Sequence, residues 1–406
     1  MASKRLIITK NKPESKIGLI LLAFIAFISL GLPDGLLGVA WPSIRGSFSR
    51  PLDSLGVLLF AIMAGYLTSS FFSGHLIARL GVGKLLAASC AATGAGLIGY
   101  TLAPTWWMIV AFGAITGLGA GAIDASLNSY IASNFGEGLM QWLHASWGIG
   151  VTIGPMIMTT GIKFFNSWRW GYVLVGAVQL THAACFALTS SLWQQRDVHI
   201  ESEKSQRLTD YKTPFLETLR QPPVWLSILF FFLYTGIEAT LGSWAYTLLT
   251  ESRGILPQVA GLWTGSYWAT FTMGRILAGL YTKRIGVHAL IRISLLAAFG
   301  GAMLLWWNPT AEIGLFGVVI IGFSIAPIFP GLVSGTSGRV GPRYAANTIG
   351  MQIGAAGLGT AILPGIAGIL AQQTSLEMIP AYLTILVVTL FGLYSLSMRQ
   401  GKTHLT

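Results

Sequence analysis

Twelve apolar stretches, each long enough to cross a bilayer, leave this chain one class of fold. They fall at about residues 17–40, 54–76, 84–103, 106–132, 139–162 and 168–192, then 223–249, 257–281, 287–307, 311–335, 345–371 and 376–397. A hydrocarbon core about 30 Å thick is spanned by a helix of about 20 apolar residues, and the helix satisfies its own backbone polar groups there. The stretches form two sets of six around the longest hydrophilic segment. The sequence therefore predicts an all-α membrane protein with a first six-helix bundle over 1–192, a cytoplasmic linker over 193–222 and a second six-helix bundle over 223–406. Only 10% of the residues are charged, against about 25% in soluble domains, so no soluble domain of useful size is expected.

A formal charge of +11 could suit nucleic acid, but the bases lie between the apolar stretches and form no continuous patch. Their placement is a topology signal. With the N-terminus inside, 19 of the 25 bases collect on the cytoplasmic side: Lys4, Arg5, Lys10, Lys12, Lys16, Arg79, Lys84, five in the linker, Lys283, Arg284, Arg292, Arg339, Arg343, Arg399 and Lys402. Arg45, Arg50, Lys163, Arg169 and Arg253 remain outside. Cytoplasmic loops keep the Lys/Arg excess, so both termini are expected on the cytoplasmic side of an inner membrane. The first stretch is too long for a signal peptide and is expected to be retained. Cys90 and Cys185 fall in apolar stretches, where thiols act as small hydrophobes, so no disulfide or metal site is expected.

The halves repeat. Gly74-His-Leu-Ile-Ala-Arg79-Leu-Gly81-Val82 and Gly279-Leu-Tyr-Thr-Lys-Arg284-Ile-Gly286-Val287 share Gly, four residues, Arg, an aliphatic, Gly and Val, offset by 205 positions. The same offset carries Asp34 to Ala239, beside Glu238. Parallel repeats of this kind place a solute site between the halves near the membrane midplane.

Charges inside spans mark that site more sharply. A carboxylate at the centre of a membrane helix costs about 2.5–3.5 kcal/mol on insertion scales, so Asp34, Asp124 and Glu238 are candidate proton-coupling residues. Asp124 and Asn128 share a helical face with Gly117 and Gly121, a spacing that lets another helix approach. The competing reading makes Asp124 a packing carboxyl bonded to a neighbouring helix. Asp34 lies in Gly31-Leu-Pro33-Asp34-Gly35, where proline and glycines are expected to weaken the helix; alternatively it is merely solvated near the outer surface. Arg275 is the one base inside a span, and pairing with Glu238 is expected to give it a gating or ion-pair role. His144 and Gly148 share one side of the fifth span with Gln141, Trp147 being adjacent. Trp41, Trp106, Trp107, Trp306 and Trp307 at span ends read as interface anchors, whereas Trp244, Trp263, Tyr267 and Trp268 lie deep enough to stack on a solute. Asn347 and Gln352, with kink residues Pro327 and Pro330 nearby, add neutral polarity. Neutral amides and indoles with few fixed charges suit a polyhydroxylated neutral solute.

The twelve spans, the linker and the basic Gly-x4-Arg-x-Gly loops resemble the major facilitator superfamily across almost the whole chain. The loop Gly74–Lys84 is similar to that superfamily's signature between helices two and three, with Ala78 where an Asp is usual, and the resemblance gives Arg79 a gating or ion-pair role. The acid-x3-Asn pattern of Asp124 and Asn128, with Asp34 in helix one, resembles the fucose permease group of sugar–proton symporters, whose acids in helices one and four are the protonation sites. The runs Tyr234-x-Gly-x-Glu238-x3-Gly242-x-Trp244 and Tyr267-Trp268-x5-Gly274-Arg275 resemble its sodium-glucose transporter-like relatives.

The expectation is a secondary transporter, not an enzyme, that moves a neutral sugar-like solute inward with a proton by alternating access. Asn128, His144, Trp268, Asn347 and Gln352 are the expected solute contacts. Proton-driven efflux of a lipophilic compound and sodium-coupled sugar symport are the alternatives. No cofactor is expected beyond the coupling ion, since no Gly-x4-Gly-Lys-Ser/Thr loop occurs. The expected partners are a small solute and membrane lipids, with no nucleic acid, and the working unit is expected to be a monomer.

Overall fold

A computed structural model describes residues 13–135, 137–193 and 213–403. The N-terminal basic segment before residue 13 and most of the expected linker, 194–212, lie outside the described residues. The first set of helices is α1 (Pro13–Ser47), α2 (Ser54–Leu80), α3 (Val82–Leu102), α4 (Trp106–Asn134), α5 (Glu137–Phe165) and α6 (Arg169–Leu188). A short α7 (Phe215–Leu219) leads into α8 (Pro222–Thr247), α9 (Pro257–Ile285), α10 (Val287–Trp307), α11 (Ala311–Ile325), α12 (Ile328–Ser334), α13 (Thr336–Val340), α14 (Pro342–Gln373) and α15 (Met378–Thr403). No strand occurs among the described residues.

Among the described residues, eleven helices are long and apolar enough to cross a membrane. The remaining long helix, α9, has 29 residues, and Arg275 with its Thr, Ser, Trp and Tyr residues makes it the most polar of the long helices. Side chains such as Phe71, Leu188 and Leu102 are exposed on the outside of the bundle, as expected where lipid is the solvent. Trp107, Trp306 and Trp307 are exposed near helix ends, in keeping with anchoring. Trp41 and Trp106 are not anchors: both are buried and pack on each other with ring centroids 5.8 Å apart.

Three of the sequence's breaks have different structural uses. The α1 helix runs unbroken through Gly31-Leu-Pro33-Asp34-Gly35 to Ser47, so this segment does not unwind. Its glycines serve packing: a methyl on Gly31 would lie 2.3 Å from Trp147 O, and one on Gly35 would lie 2.4 Å from Val151 O. Pro327 does interrupt its span, separating α11 from α12. Gly81 and Gly286, the matched glycines of the repeated loop, both take left-handed φ, 78° and 79°, with open space where a Cβ would be. Backbone geometry rather than crowding selects glycine there.

The two sets touch toward the face at which α1 ends and α15 begins, opposite the Pro13 and Thr403 ends of those helices. Polar contacts cross between them there from Arg45 to Glu251 and from Leu52 N to Gln372 Oε1, 2.9 Å. Close backbone approaches continue inward: a methyl on Gly56 would lie 2.9 Å from Gly365 Cα, and one on Gly38 would lie 2.4 Å from Gly242 O. The second set is clasped at the same face by Arg253, which donates to Glu377 Oε1 and Oε2 at 2.9 and 2.7 Å and to Leu305 O at 2.8 Å. Burial alone would raise the Glu377 carboxyl, but Arg253 and Ser252 donate to it and hold it below its ordinary range.

Candidate functional site

Asp124 is positioned by the glycine face that the sequence displays. A methyl on Gly117 would lie 1.9 Å from Ile62 O, and one on Gly121 would lie 2.2 Å from Tyr66 O, so α2 presses directly onto α4. That contact brings the Tyr66 hydroxyl to Asp124 Oδ2, to which it donates at 2.5 Å. Asn128, one turn along α4, donates from Nδ2 to Asp124 Oδ1 at 2.9 Å, leaving its buried Oδ1 without a partner. Asp124 is therefore bonded to a neighbouring helix and also half-exposed toward the centre of the bundle.

The α1–α5 pair builds the second corner in the same way. Glycines on both helices, Gly31 and Gly35 against Gly150 and Gly154, let their backbones meet. Trp147 then reaches Asp34 and donates from Nε1 to Oδ2 at 3.1 Å. Asp34 is exposed, yet it lies within electrostatic reach of Asp124 and of Glu238 from the other set. An accessible carboxylate facing two other intramembrane acids lies in a central cleft and not at the outer membrane surface.

The second set supplies Glu238 and Arg275. They lie within electrostatic reach of each other, but no ion pair within 4.0 Å joins them among the described residues. The Tyr234 hydroxyl sits between the two and makes no hydrogen bond of normal geometry. The Arg275 guanidinium stacks over Phe271, 4.4 Å from its centroid, and its Nε is buried without a partner. His144 is exposed, lies edge-on to Phe27 at 5.6 Å, and is within electrostatic reach of Asp124 and Arg275. The side chain of Gln141 lies outside the described residues. Trp268 is nearly buried, and its Nε1 has no partner. Its ring meets Trp147 across the seam, centroids 6.0 Å apart and planes at 87°.

Asp34, Asp124, Glu238, Asn128, His144, Trp268 and Arg275 are thus brought to one central cleft. The other sequence-derived residues are not. Asn347 donates to Thr213 O and Thr218 Oγ1, both at 3.0 Å, holding the segment before α8 against the start of α14. Gln352 is fully buried and bonded to Thr336, itself a partner of Arg339. Arg79 is exposed at the terminal-face end of α2. Trp244 and Tyr267 are buried and committed, donating to Pro364 O at 2.9 Å and Glu238 O at 2.8 Å. Among the described residues, no group of three or more metal-ligating side chains occurs, and both cysteines are free.

Tyr66 and Trp147 are the cleft residues that sequence reasoning did not assign. Tyr66 gave no signal beyond its own type. Trp147 lies three residues from His144 on α5, and its apposition to Gly31-x2-Asp34 is the clue that helix pairing would have supplied.

Comparison with known proteins agrees with this architecture. The chain is 25% identical to "Bypass of stop codon protein 6" of Saccharomyces cerevisiae, covering 91% of this chain and 80% of that protein. It is 21% identical to the "Glucose/mannose transporter GlcP" of Bacillus subtilis, over 95% and 96% of the two chains. The crystal structure of the E. coli fucose:proton symporter FucP superposes with a TM-score of 0.63 at 14% identity, covering 94% of this chain and 99% of that one. Residues 19–352 match the profile described as Major Facilitator Superfamily. A helical bundle with this pairing, matched to that profile over most of its length, belongs to the Major Facilitator Superfamily.

Proposed function

We propose that the chain is a secondary transporter that carries a neutral, sugar-like solute inward together with a proton. The observation that carries this reading is the convergence of Asp34 and Asp124 from one set of helices with Glu238 from the other on a single accessible cleft. Three carboxylates sharing one region of low dielectric resist simultaneous ionisation, so proton occupancy and the balance between the sets are linked. Asp124 and Asp34 carry the proton. Glu238, Tyr234 and Arg275 form the facing wall. Asn128 Oδ1 and Trp268 Nε1, an acceptor and a donor left unpartnered, with His144, meet the hydroxyls of the solute.

The solute class draws support from relatives whose names specify glucose/mannose transport and fucose–proton symport, and the coupling ion is what the uptake experiment decides. The 19 bases on the terminal side support cytoplasmic termini and linker. Seam contacts toward the opposite face then correspond to closure on the outer side, with the cleft open inward.

Uptake of labelled D-glucose and L-fucose into proteoliposomes tests the reading. Accumulation driven by an inward proton gradient in sodium-free buffer is expected. Accumulation that requires a sodium gradient, or outward movement of the solute against an inward proton gradient, overturns proton symport.

A further inference from the structure

Trp147 makes two contacts that no other described residue combines. Its indole N–H donates to Asp34 Oδ2 at 3.1 Å, and its ring packs edge-on against Trp268 of the opposite set at 6.0 Å. We propose that Trp147 is a positioning residue that ties the charge state of Asp34 to the packing between the two halves. This inference rests on the reading of Asp34 as a proton carrier.

The surroundings leave Trp147 little freedom to respond in any other way. Its backbone is held by α1, since a methyl on Gly31 would lie 2.3 Å from Trp147 O. The next residue, Gly148, meets the other half directly, because a methyl there would lie 2.4 Å from Thr272 Oγ1. Beyond Trp268 the contact chain closes on itself. The Trp268 ring occupies the space a Gly242 methyl would need, at 2.4 Å, and Gly242 O meets Gly38 on α1, one turn from Asp34. The path therefore runs Asp34, Trp147, Trp268, Gly242, Gly38 and back to α1, crossing between the halves twice.

An ionised carboxylate accepts a charge-assisted bond from the indole, roughly twice as strong as a neutral one. When Asp34 takes up a proton, that bond weakens and the indole is freed to turn about its side-chain torsions. The aromatic edge contact that spans the seam then loses its fixed geometry. Packed interfaces answer such small shifts by switching between discrete arrangements. The other titratable groups facing this corner are Asp124 from α4, Tyr66 from α2, Glu238 and Tyr234 from α8, Arg275 from α9 and His144 from α5 itself. Of these, Asp124, Glu238 and Tyr66 lie within electrostatic reach of Asp34. The α6 helix, also packed on α1, contributes the Gln179 amide to Ser29 O and no charge toward Asp34.

The test measures the seam itself. Spin labels are placed at Gly46→Cys and Ser375→Cys, exposed positions at the opposite face of the two sets, in full-length protein carrying Cys90→Ala and Cys185→Ala. Their distance distribution is recorded by double electron–electron resonance between pH 5.5 and 8. The unmodified seam is expected to shift its populations across this range, and Asp34→Asn to remove the shift. Trp147→Phe keeps a ring but no N–H, and is expected to reduce the shift at least threefold while leaving the thermal midpoint within a few degrees. Trp268→Leu keeps the Trp147–Asp34 bond and loses the edge contact, with the same reduction expected, so a poorly folded Trp147→Phe does not end the test. A full shift in Trp147→Phe or Trp268→Leu, or no shift in the unmodified protein, overturns the proposal. Glucose-driven proton uptake by the same variants reads the carrier role separately: normal uptake by Asp34→Asn removes that role whatever the spin labels report.

Discussion

Tyr66 donates to Asp124 from a different helix, 58 residues away in sequence, at 2.5 Å. The bond exists because Gly117 and Gly121 let the α2 backbone meet α4 at Ile62 and Tyr66. A hydrogen bond to a charged group contributes about 1.5–3 kcal/mol, equivalent to about a 10- to 100-fold change in an equilibrium constant. Tyr66→Phe is therefore expected to lower the apparent solute affinity or the proton coupling by at least about tenfold. Solute-driven proton uptake in vesicles measures it, and wild-type coupling in Tyr66→Phe would remove this bond from the mechanism.

Glycine substitutions separate crowding from backbone strain. Gly117→Val puts branched carbons where even a single methyl would lie 1.9 Å from Ile62 O, and overpacking of this kind costs about 1–3 kcal/mol. The thermal midpoint is expected to fall by about 1–4 °C. Gly81→Ala meets no neighbour but must hold φ 78° and ψ 159°, a conformation open essentially to glycine alone, at a cost of about 1–3 kcal/mol. Gly74→Ala, with nothing within 4 Å and a helical backbone, is the control expected to stay unchanged.

The Arg253–Glu377 clasp makes one part of stability acid-sensitive. The folded state holds the Glu377 carboxyl below its unfolded value, so its contribution is present above about pH 4.5 and lost as pH falls through the folded value. Glu377→Gln is expected to flatten the fall of the thermal midpoint between pH 5 and pH 3. An equally steep fall in the variant would assign that acid sensitivity elsewhere.

The Arg45–Glu251 pair joins the two sets at the opposite face with partly exposed side chains. Exposed pairs contribute about 0.2–1 kcal/mol, so Arg45→Glu is expected to shift the open-to-closed ratio there by up to about fivefold, not to lock it. Labelling of Ser243→Cys, which lies under Gly38 in the seam, by an impermeant maleimide follows the shift. Arg45→Glu combined with Glu251→Arg is expected to restore the original rate; failure to do so would show that the pair does not set the closure.

Much of the architecture was legible because hydrophobic length is a local property. The apolar spans, the repeated loop with its paired left-handed glycines, and the acids facing inward all follow from spacing along single helices. What escaped were relations between helices. The Gly31-Leu-Pro33-Asp34-Gly35 segment reads as a weak point, yet α5 packs into its glycines and the helix continues. Trp41 and Trp106 occupy span ends like anchors, but each finds the other inside the bundle. Asn347 and Gln352 are polar residues in a span, and both bond to nearby structural partners instead of the cleft. Tyr66 and Trp147 became visible only when glycine faces fixed which helices meet.

Proton carriage by Asp124 is tested most directly by proton uptake when D-glucose is added to proteoliposomes holding the wild-type chain or Asp124→Asn. Solute-driven alkalinisation of the medium is expected from the wild type and none from Asp124→Asn, with both proteins folded by thermal unfolding. Undiminished coupled uptake by Asp124→Asn would contradict that role.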